Sequence, residues 1–138
     1  MLGAIIGDIV GSIYEFDNIK TKVFPFFDER MEYTDDSILA IATADWLMNG
    51  GDSGKYYLKY ATDYPFPMGD YGTMFVQWVN RSNRGFMEPY NSCGNGSAMR
   101  IGPVGWVVLP ALSQKLCMAS LQICVKRECC VCPQHCAL

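Results

Sequence analysis

The fold of this 138-residue chain is decided by one stretch, residues 34–51, which reads TDDSILAIATADWLMNGG. Thr34 suits a helix N-cap, because its hydroxyl can accept a hydrogen bond from a first-turn amide. Asp35 and Asp36 complement the positive end of the helix dipole. An apolar face follows, made of Ile38, Leu39, Ile41, Ala42 and Trp46. Gly50-Gly51 then ends a predicted amphipathic helix whose acidic end comes first.

The sequence up to residue 107 indicates further helices and no strand. Periodic apolar positions predict a buried helix over residues 2–15 and further helices over 53–63 and 71–82. On the first of these, Gly3, Gly7 and Gly11 form a stripe at every fourth position. Glycine costs about 1 kcal/mol in a helix, so the stripe indicates close approach by another backbone or by a ligand. The pattern as a whole predicts an all-α fold.

Composition and charge exclude several classes of protein. Eleven basic residues against fourteen acidic ones give a net charge of -3, which argues against a nucleic-acid-binding protein with a basic face. No apolar run approaches the roughly 18 residues of a membrane span. The apolar start lacks a basic region and is interrupted by Asp8, so we expect no signal peptide and a cytoplasmic protein without membrane contact.

The composition changes near residue 110. Residues 111–138 carry one acid, three bases and six of the seven cysteines, whereas the 110 residues before them are acidic and hold one cysteine. Such a change marks a new domain or a change of sequence origin. We therefore expect a domain over residues 1–107 and a separate Cys-rich tail over residues 108–138.

Two carboxylates and two hydroxyls meet at the start of the predicted central helix, in Thr34-Asp35-Asp36-Ser37. Successive helical residues differ by about 100° in direction, so both acids can border one pocket. Oxygen ligands of this kind suit Mg²⁺, Mn²⁺ or Ca²⁺. Stabilisation of the helix dipole explains the same acids without a metal, and that alternative stays open.

A second polar group lies on the first predicted helix. Asp8, Ser12 and Glu15 stand at positions i, i+4 and i+7, which places them on one face. Acids in apolar surroundings are costly unless they find partners, and either a metal ion or a hydrogen-bond network would supply them.

A third group is the small-residue turn Gly94-Asn95-Gly96-Ser97-Ala98-Met99-Arg100. Free amides in such a turn, with Arg100 nearby, can receive phosphate oxygens. A simple connection between helices is the alternative.

In this order, the three groups resemble the ADP-ribosylglycohydrolase family, which includes the dinitrogenase reductase-activating glycohydrolase and the ADP-ribosyl-acceptor hydrolases. The matching stretches are Gly3 to Asp8 continuing to Tyr14-Glu15, then Thr34 to Ser37, and then Gly94 to Arg100. The resemblance implies a compact, orthogonal all-α bundle. It also implies hydrolysis of the glycosidic bond that joins ADP-ribose to a protein or a small molecule, with two divalent cations, Mg²⁺ or Mn²⁺, in a cleft.

The resemblance also implies a role for individual residues. Its metal ligands are Thr34, Asp35 and Asp36. Its catalytic carboxylates are Glu15, Asp35 and Asp36. Its substrate-binding residues are Gly94, Asn95, Gly96 and Ser97. Ser37 stands where the family commonly has threonine, which keeps a hydroxyl. Asp8 is interpreted as structural, with a supporting role behind the metal ligands as the alternative.

The resemblance ends after Trp106. It implies a second acidic cluster, Asp-x-Asp-Thr, and a His-x-His-Pro stretch, and neither follows in the 138 residues. We therefore expect the N-terminal part of a family domain, truncated or frame-shifted and inactive alone. The alternative is a non-catalytic ADP-ribose-binding or degenerate fragment.

The Cys-rich tail permits a different interpretation. Its densest part reads CCVCPQHC, residues 129–136. Four of these side chains are enough for a zinc ion, but their spacing does not follow the usual separation of paired cysteines. Out-of-frame translation without a selected role explains the same composition, and a zinc-binding module is the third hypothesis.

Overall fold

The computed structural model describes residues 1–90, 92 and 94–108. The helices in that part are α1 (Leu2–Gly11), α2 (Asp35–Asn49), α3 (Ser53–Asp63), α4 (Thr73–Ser82), α5 (Gly96–Met99) and α6 (Gly102–Val108), with a 3₁₀ turn at Ser12–Tyr14 after α1. Because the described residues contain helices and no strand, the all-α prediction is confirmed. The predicted tail and its proposed zinc ligands lie outside the described residues.

Helix α2 is the central element, and its two ends are those the sequence predicts. Thr34 is extended and caps the first turn, while Gly50 follows the last residue with a positive φ of 73°. Such a φ favours glycine because a side chain would be strained there. Helices α1, α3, α5 and α6 all pack against α2. The acidic start of α2 is therefore held from several sides.

The apolar face of α2 is narrower than predicted. Ile38 and Leu39 are buried in a cluster that also contains Ala61, Tyr71 and Phe75. Ile41, predicted on the same face, is 37% exposed, and that prediction is wrong. Ile38, Leu39 and Ala42 span an arc of about 100°, and Ile41 falls about 60° outside it.

Helix α1 is less buried than its sequence predicts. Val10 is its one buried residue, and Leu2 is 76% exposed. The expectation of a buried helix is therefore wrong, since the apolar residues surround the helix but only one side meets α2. The helix also tightens into the 3₁₀ turn, because the Ser12 amide and the Ser12 hydroxyl both donate to the carbonyl of Ile9.

The other predicted helices are confirmed. Helix α3 has the predicted bounds, and its cap is Asp52, whose carboxylate accepts the amide of Gly54 at 2.9 Å. Helix α4 begins two residues later than predicted, after Gly72. Within the described part of the chain, none of the helices has the length and apolarity that crossing a membrane requires.

Two isoleucines of α2 provide a matched test of this packing. We expect Ile38→Ala to lower the free energy of unfolding by about 2–5 kcal/mol, because it leaves a cavity in the core. Ile41→Ala removes the same atoms from a partly exposed position and should cost less than about 1 kcal/mol. Urea denaturation followed by circular dichroism measures both. Equal losses would contradict the described orientation of α2.

Candidate functional site

The site is built around the hydrogen bonds of Thr34. Its hydroxyl accepts the amide of Asp36 at 3.2 Å, which is the predicted cap of α2. The same hydroxyl donates to Asp8 Oδ1, and the Thr34 amide donates to Asp8 Oδ2 at 3.0 Å. Asp8 therefore fixes both the backbone and the side chain of the residue at which α2 begins.

The extended segment before α2 is held on two sides. On one side, Ser12 Oγ accepts the amide of Glu32 at 3.2 Å. On the other, Thr34 pairs with Met68 in an isolated parallel β-bridge. The segment therefore lies between α1 and the loop around Met68, and it delivers Asp35 and Asp36 to a defined position.

Asp35 and Asp36 line different cavities. Asp36 lines a cavity of about 540 Å³. This cavity also contains all three polar residues predicted to share a face of α1, namely Asp8, Ser12 and Glu15. Asp35 lines a second cavity, of about 240 Å³, which extends to the turn that begins at Gly94. The first residues of α2 therefore form a wall between two spaces.

The glycine stripe of α1 borders the larger cavity. Gly7 and Gly11 line it, and a Cβ atom built on either glycine, or on Gly3, meets no other group within 4 Å. Close packing against another backbone, one of the two explanations of the stripe, is therefore not found in the described part of the chain. Ser37 lines the same cavity, and within the described residues its buried hydroxyl has no hydrogen-bond partner.

Negative charge is concentrated around the start of α2. Burial raises the pKa of Asp35 from its ordinary value of 3.8 to about 6, and repulsion from Asp36, Glu15 and Asp8 adds to the shift. Burial also raises the pKa of Asp36, together with repulsion from Asp8 and Glu15. Arg100 lowers both pKa values but does not offset the other effects.

The predicted substrate-binding turn lies across the Asp35 cavity. Gly94, Asn95 and Gly96 line this cavity, and Ser97 is buried. The expectation that the amides of the turn are free is wrong for Gly94, whose amide donates to Ser92 Oγ at 3.0 Å.

Arg100 connects the turn to the acidic group. It is 4% exposed, its Nε donates to the carbonyl of Gly96 at 2.7 Å, and its guanidinium lies 4.8 Å from the centre of the Tyr57 ring. Such stacking orients a guanidinium while leaving its charge in place. The sequence placed Arg100 near the turn but did not connect it with Tyr57. No spacing rule connects the two, because they come from different elements.

The side chains at the start of α2 are of the type that a hard divalent cation binds. Thr34, Asp35 and Asp36 supply oxygen atoms. Burial, and after it repulsion between neighbouring acids, raises the pKa of both aspartates, and a bound cation would offset the negative charge. In number the set is small. Among residues 1–90, 92 and 94–108, no three or more His, Cys, Asp or Glu side chains are grouped closely enough to hold a metal ion. Further ligands would come from outside these residues, from water or from the substrate.

The sequence model of the ADP-ribosylglycohydrolase family matches residues 1–127 of the chain. The chain belongs to this family. The match includes the α1 face, the start of α2 and the glycine turn, which the fold brings together around two cavities. It also runs past residue 107, where the sequence analysis ends the domain, so that boundary stays a prediction. Neither a curated protein nor a solved structure matches the chain.

Asp35 provides a pH test of the acidic group. A carboxyl whose pKa is raised on folding costs stability above that pKa, and the cost disappears as pH falls toward the ordinary value. We expect Asp35→Asn to raise the melting temperature at pH 7.5 by about 2–6 °C. The gain should shrink between pH 7 and pH 4.

Differential scanning calorimetry across this pH range measures the effect. Glu88→Gln, which removes an exposed acid outside the group, is the control and should show no such trend. A gain from Asp35→Asn that grows as the pH falls would contradict the assignment.

Gly96 provides a test of the Arg100 contact. A Cβ at Gly96 would lie 2.8 Å from Arg100 Nη2, so the guanidinium must move. We expect Gly96→Ala to lower the free energy of unfolding by about 1–3 kcal/mol. Gly102→Ala, which meets open space at the start of α6, should be neutral or slightly stabilising. Guanidinium denaturation measures the free energy of unfolding of both variants. Equal effects would show that the contact between Gly96 and Arg100 does not stabilise the fold.

Proposed function

We propose that this chain hydrolyses the glycosidic bond between ADP-ribose and an acceptor, with Mg²⁺ or Mn²⁺ held at Thr34, Asp35 and Asp36. The expectation from the sequence that the chain is inactive alone stays a prediction, and the assay below tests it against this proposal. The observation that supports the proposal is the shared cavity of Asp35 and the Gly94–Gly96 turn, which lie far apart in sequence. The substrates are ADP-ribosylated proteins or small molecules that contain ADP-ribose. A cytoplasmic location, expected from the sequence, belongs to the proposal, as does a pair of cations rather than one.

The chemistry divides between the two cavities. ADP-ribose lies in the Asp35 cavity, against the turn at Gly94, Asn95 and Gly96 that lines it. A bound divalent cation supplies Lewis acidity and lowers the pKa of a coordinated water. Glu15 is exposed and lines the Asp36 cavity, but it lies close enough to Asp35 to repel its charge. From there it orients the attacking water beside the wall that separates the two cavities and accepts its proton. Water adds to the anomeric carbon of the ribose, the glycosidic bond breaks, and the acceptor leaves with the proton that Glu15 accepted from the water.

The reaction is tested by release of free ADP-ribose. The purified chain is incubated with arginine- or serine-ADP-ribosylated protein in Mg²⁺, in Mn²⁺ or in EDTA, and the product is measured by mass spectrometry. We expect release with a metal and none in EDTA. Asp35→Asn/Asp36→Asn should reduce release to background, while Glu88→Gln and Cys129→Ser/Cys132→Ser should retain it.

The outcomes separate the competing functions. Binding of ADP-ribose without its release in any metal would overturn the hydrolase proposal in favour of a non-catalytic ADP-ribose-binding protein. Loss of activity in the cysteine variant, together with stoichiometric Zn²⁺, would favour the zinc-binding module. Full activity of the double aspartate variant would contradict the metal assignment. Circular dichroism confirms that each variant is folded.

A further inference from the structure

The contact between α1 and the segment before α2 depends on two equal spacings, one between two acceptor side chains and one between two backbone amides. Along α1, Asp8 and Ser12 are four residues apart, which corresponds to a rise of about 6 Å. In an extended chain, amides two residues apart point the same way and are about 6.6 Å apart. The amides of Glu32 and Thr34 are such a pair, and they donate to Ser12 and Asp8 respectively. The helix therefore offers two acceptors at the spacing of two extended-chain donors.

The contacts made by Ser12 and Asp8 differ in strength and in the groups that they bind. Ser12 is a neutral acceptor and binds one amide, that of Glu32. Asp8 is a carboxylate, and each of its oxygens accepts from Thr34, one from the amide and one from the hydroxyl. Hydrogen bonds to a charged acceptor are about twice as strong as neutral ones. Asp8 is therefore the contact that orients the residue at the start of α2.

The orientation of Thr34 also sets the position of the acidic residues that follow it. Because the Thr34 hydroxyl donates to Asp8, its lone pairs are directed elsewhere, and one of them accepts the amide of Asp36. Without Asp8, the acceptor that holds the Thr34 hydroxyl would be absent, and rotation of the side chain about χ1 would move its oxygen and weaken the cap. Thr34 itself is 4% exposed, so water does not readily replace Asp8.

We infer that Asp8 is a positioning residue, which fixes Thr34 and through it the direction of the oxygen atoms at the start of α2. Asp8 acts through Thr34 rather than on a substrate. The inference deepens the proposed function, because it names the residue that preorganises the cation-binding group. The hydrogen bonds on which it rests are independent of that function.

The test compares Asp8→Asn with Ser12→Ala, which removes the neighbouring contact to the same segment. Amide hydrogen exchange, measured by NMR on the metal-free protein, reports the hydrogen bonds directly. We expect Asp8→Asn to speed exchange at Thr34 and Asp36 by about tenfold or more. Ser12→Ala should speed exchange at Glu32 and leave the Asp36 amide within about threefold of the parent chain.

Affinity for Mn²⁺, measured by electron paramagnetic resonance, distinguishes a positioning residue from one that only stabilises the fold. Loss of a residue that orients a metal ligand typically costs about 10–100-fold in metal affinity. We expect that loss for Asp8→Asn and not for Ser12→Ala. Thr34→Val should show the same loss of Mn²⁺ affinity, and Thr34→Ser should keep the affinity of the parent chain. The double variant Asp8→Asn/Thr34→Val should bind Mn²⁺ within about threefold of the weaker single variant, because both changes remove the same contact.

Three results would overturn the inference. They are unchanged exchange at Thr34 in Asp8→Asn, equal losses of metal affinity in Asp8→Asn and Ser12→Ala, and additive losses in the double variant. If Asp8→Asn does not fold, the same contact is tested from its other side, at Thr34. Thr34→Val removes the hydroxyl that binds Asp8, and Thr34→Ser keeps it. If the parent chain binds no Mn²⁺, the cation-binding proposal fails, while the exchange data still decide the role of Asp8.

Discussion

The structure depends on one charged hydrogen-bonded contact, between the carboxylate of Asp8 and the amide and hydroxyl of Thr34. A helix leaves its first amides without partners in the helix, and a side chain must bind at least one of them. Thr34 does so for α2, and Asp8 in turn holds Thr34. Since every other long helix packs on α2 or on a neighbour of it, the position of this cap relates the core of the protein to its acidic group.

The same arrangement carries an electrostatic cost. Asp8, Glu15, Asp35 and Asp36 repel one another across a partly buried region, and the buried Arg100 offsets only part of the repulsion. A fold optimised for stability alone would separate these charges, so their presence together favours a role in binding. The contact of Arg100 with Tyr57 and Gly96 places the opposing charge without filling the cavity.

Sequence reasoning succeeded where the signal is local. The cap at Thr34, the stop at Gly50 and the bounds of α3 follow from short-range chemistry that is written in adjacent residues. It failed for the exposure of α1 and of Ile41, because burial depends on which neighbours arrive. For Asp8 the sequence indicated that a partner was needed, but it did not identify Thr34, since that contact spans 26 residues. The pairing of Arg100 with Tyr57 had no sequence signal.

Asp35 and Asp36 are consecutive residues that line separate cavities. The start of α2 is therefore part of the partition between them, together with Met99, which lines both cavities. Because the two aspartates are adjacent, a chemical group held at the helix start is within reach of both cavities. Apart from α2 and Met99, the two walls come from different parts of the chain: α1 contributes to one, while Gly72 to Phe75 and the turn at Gly94 contribute to the other. Substitutions in one of these parts can therefore reshape one cavity and leave the lining of the other unchanged.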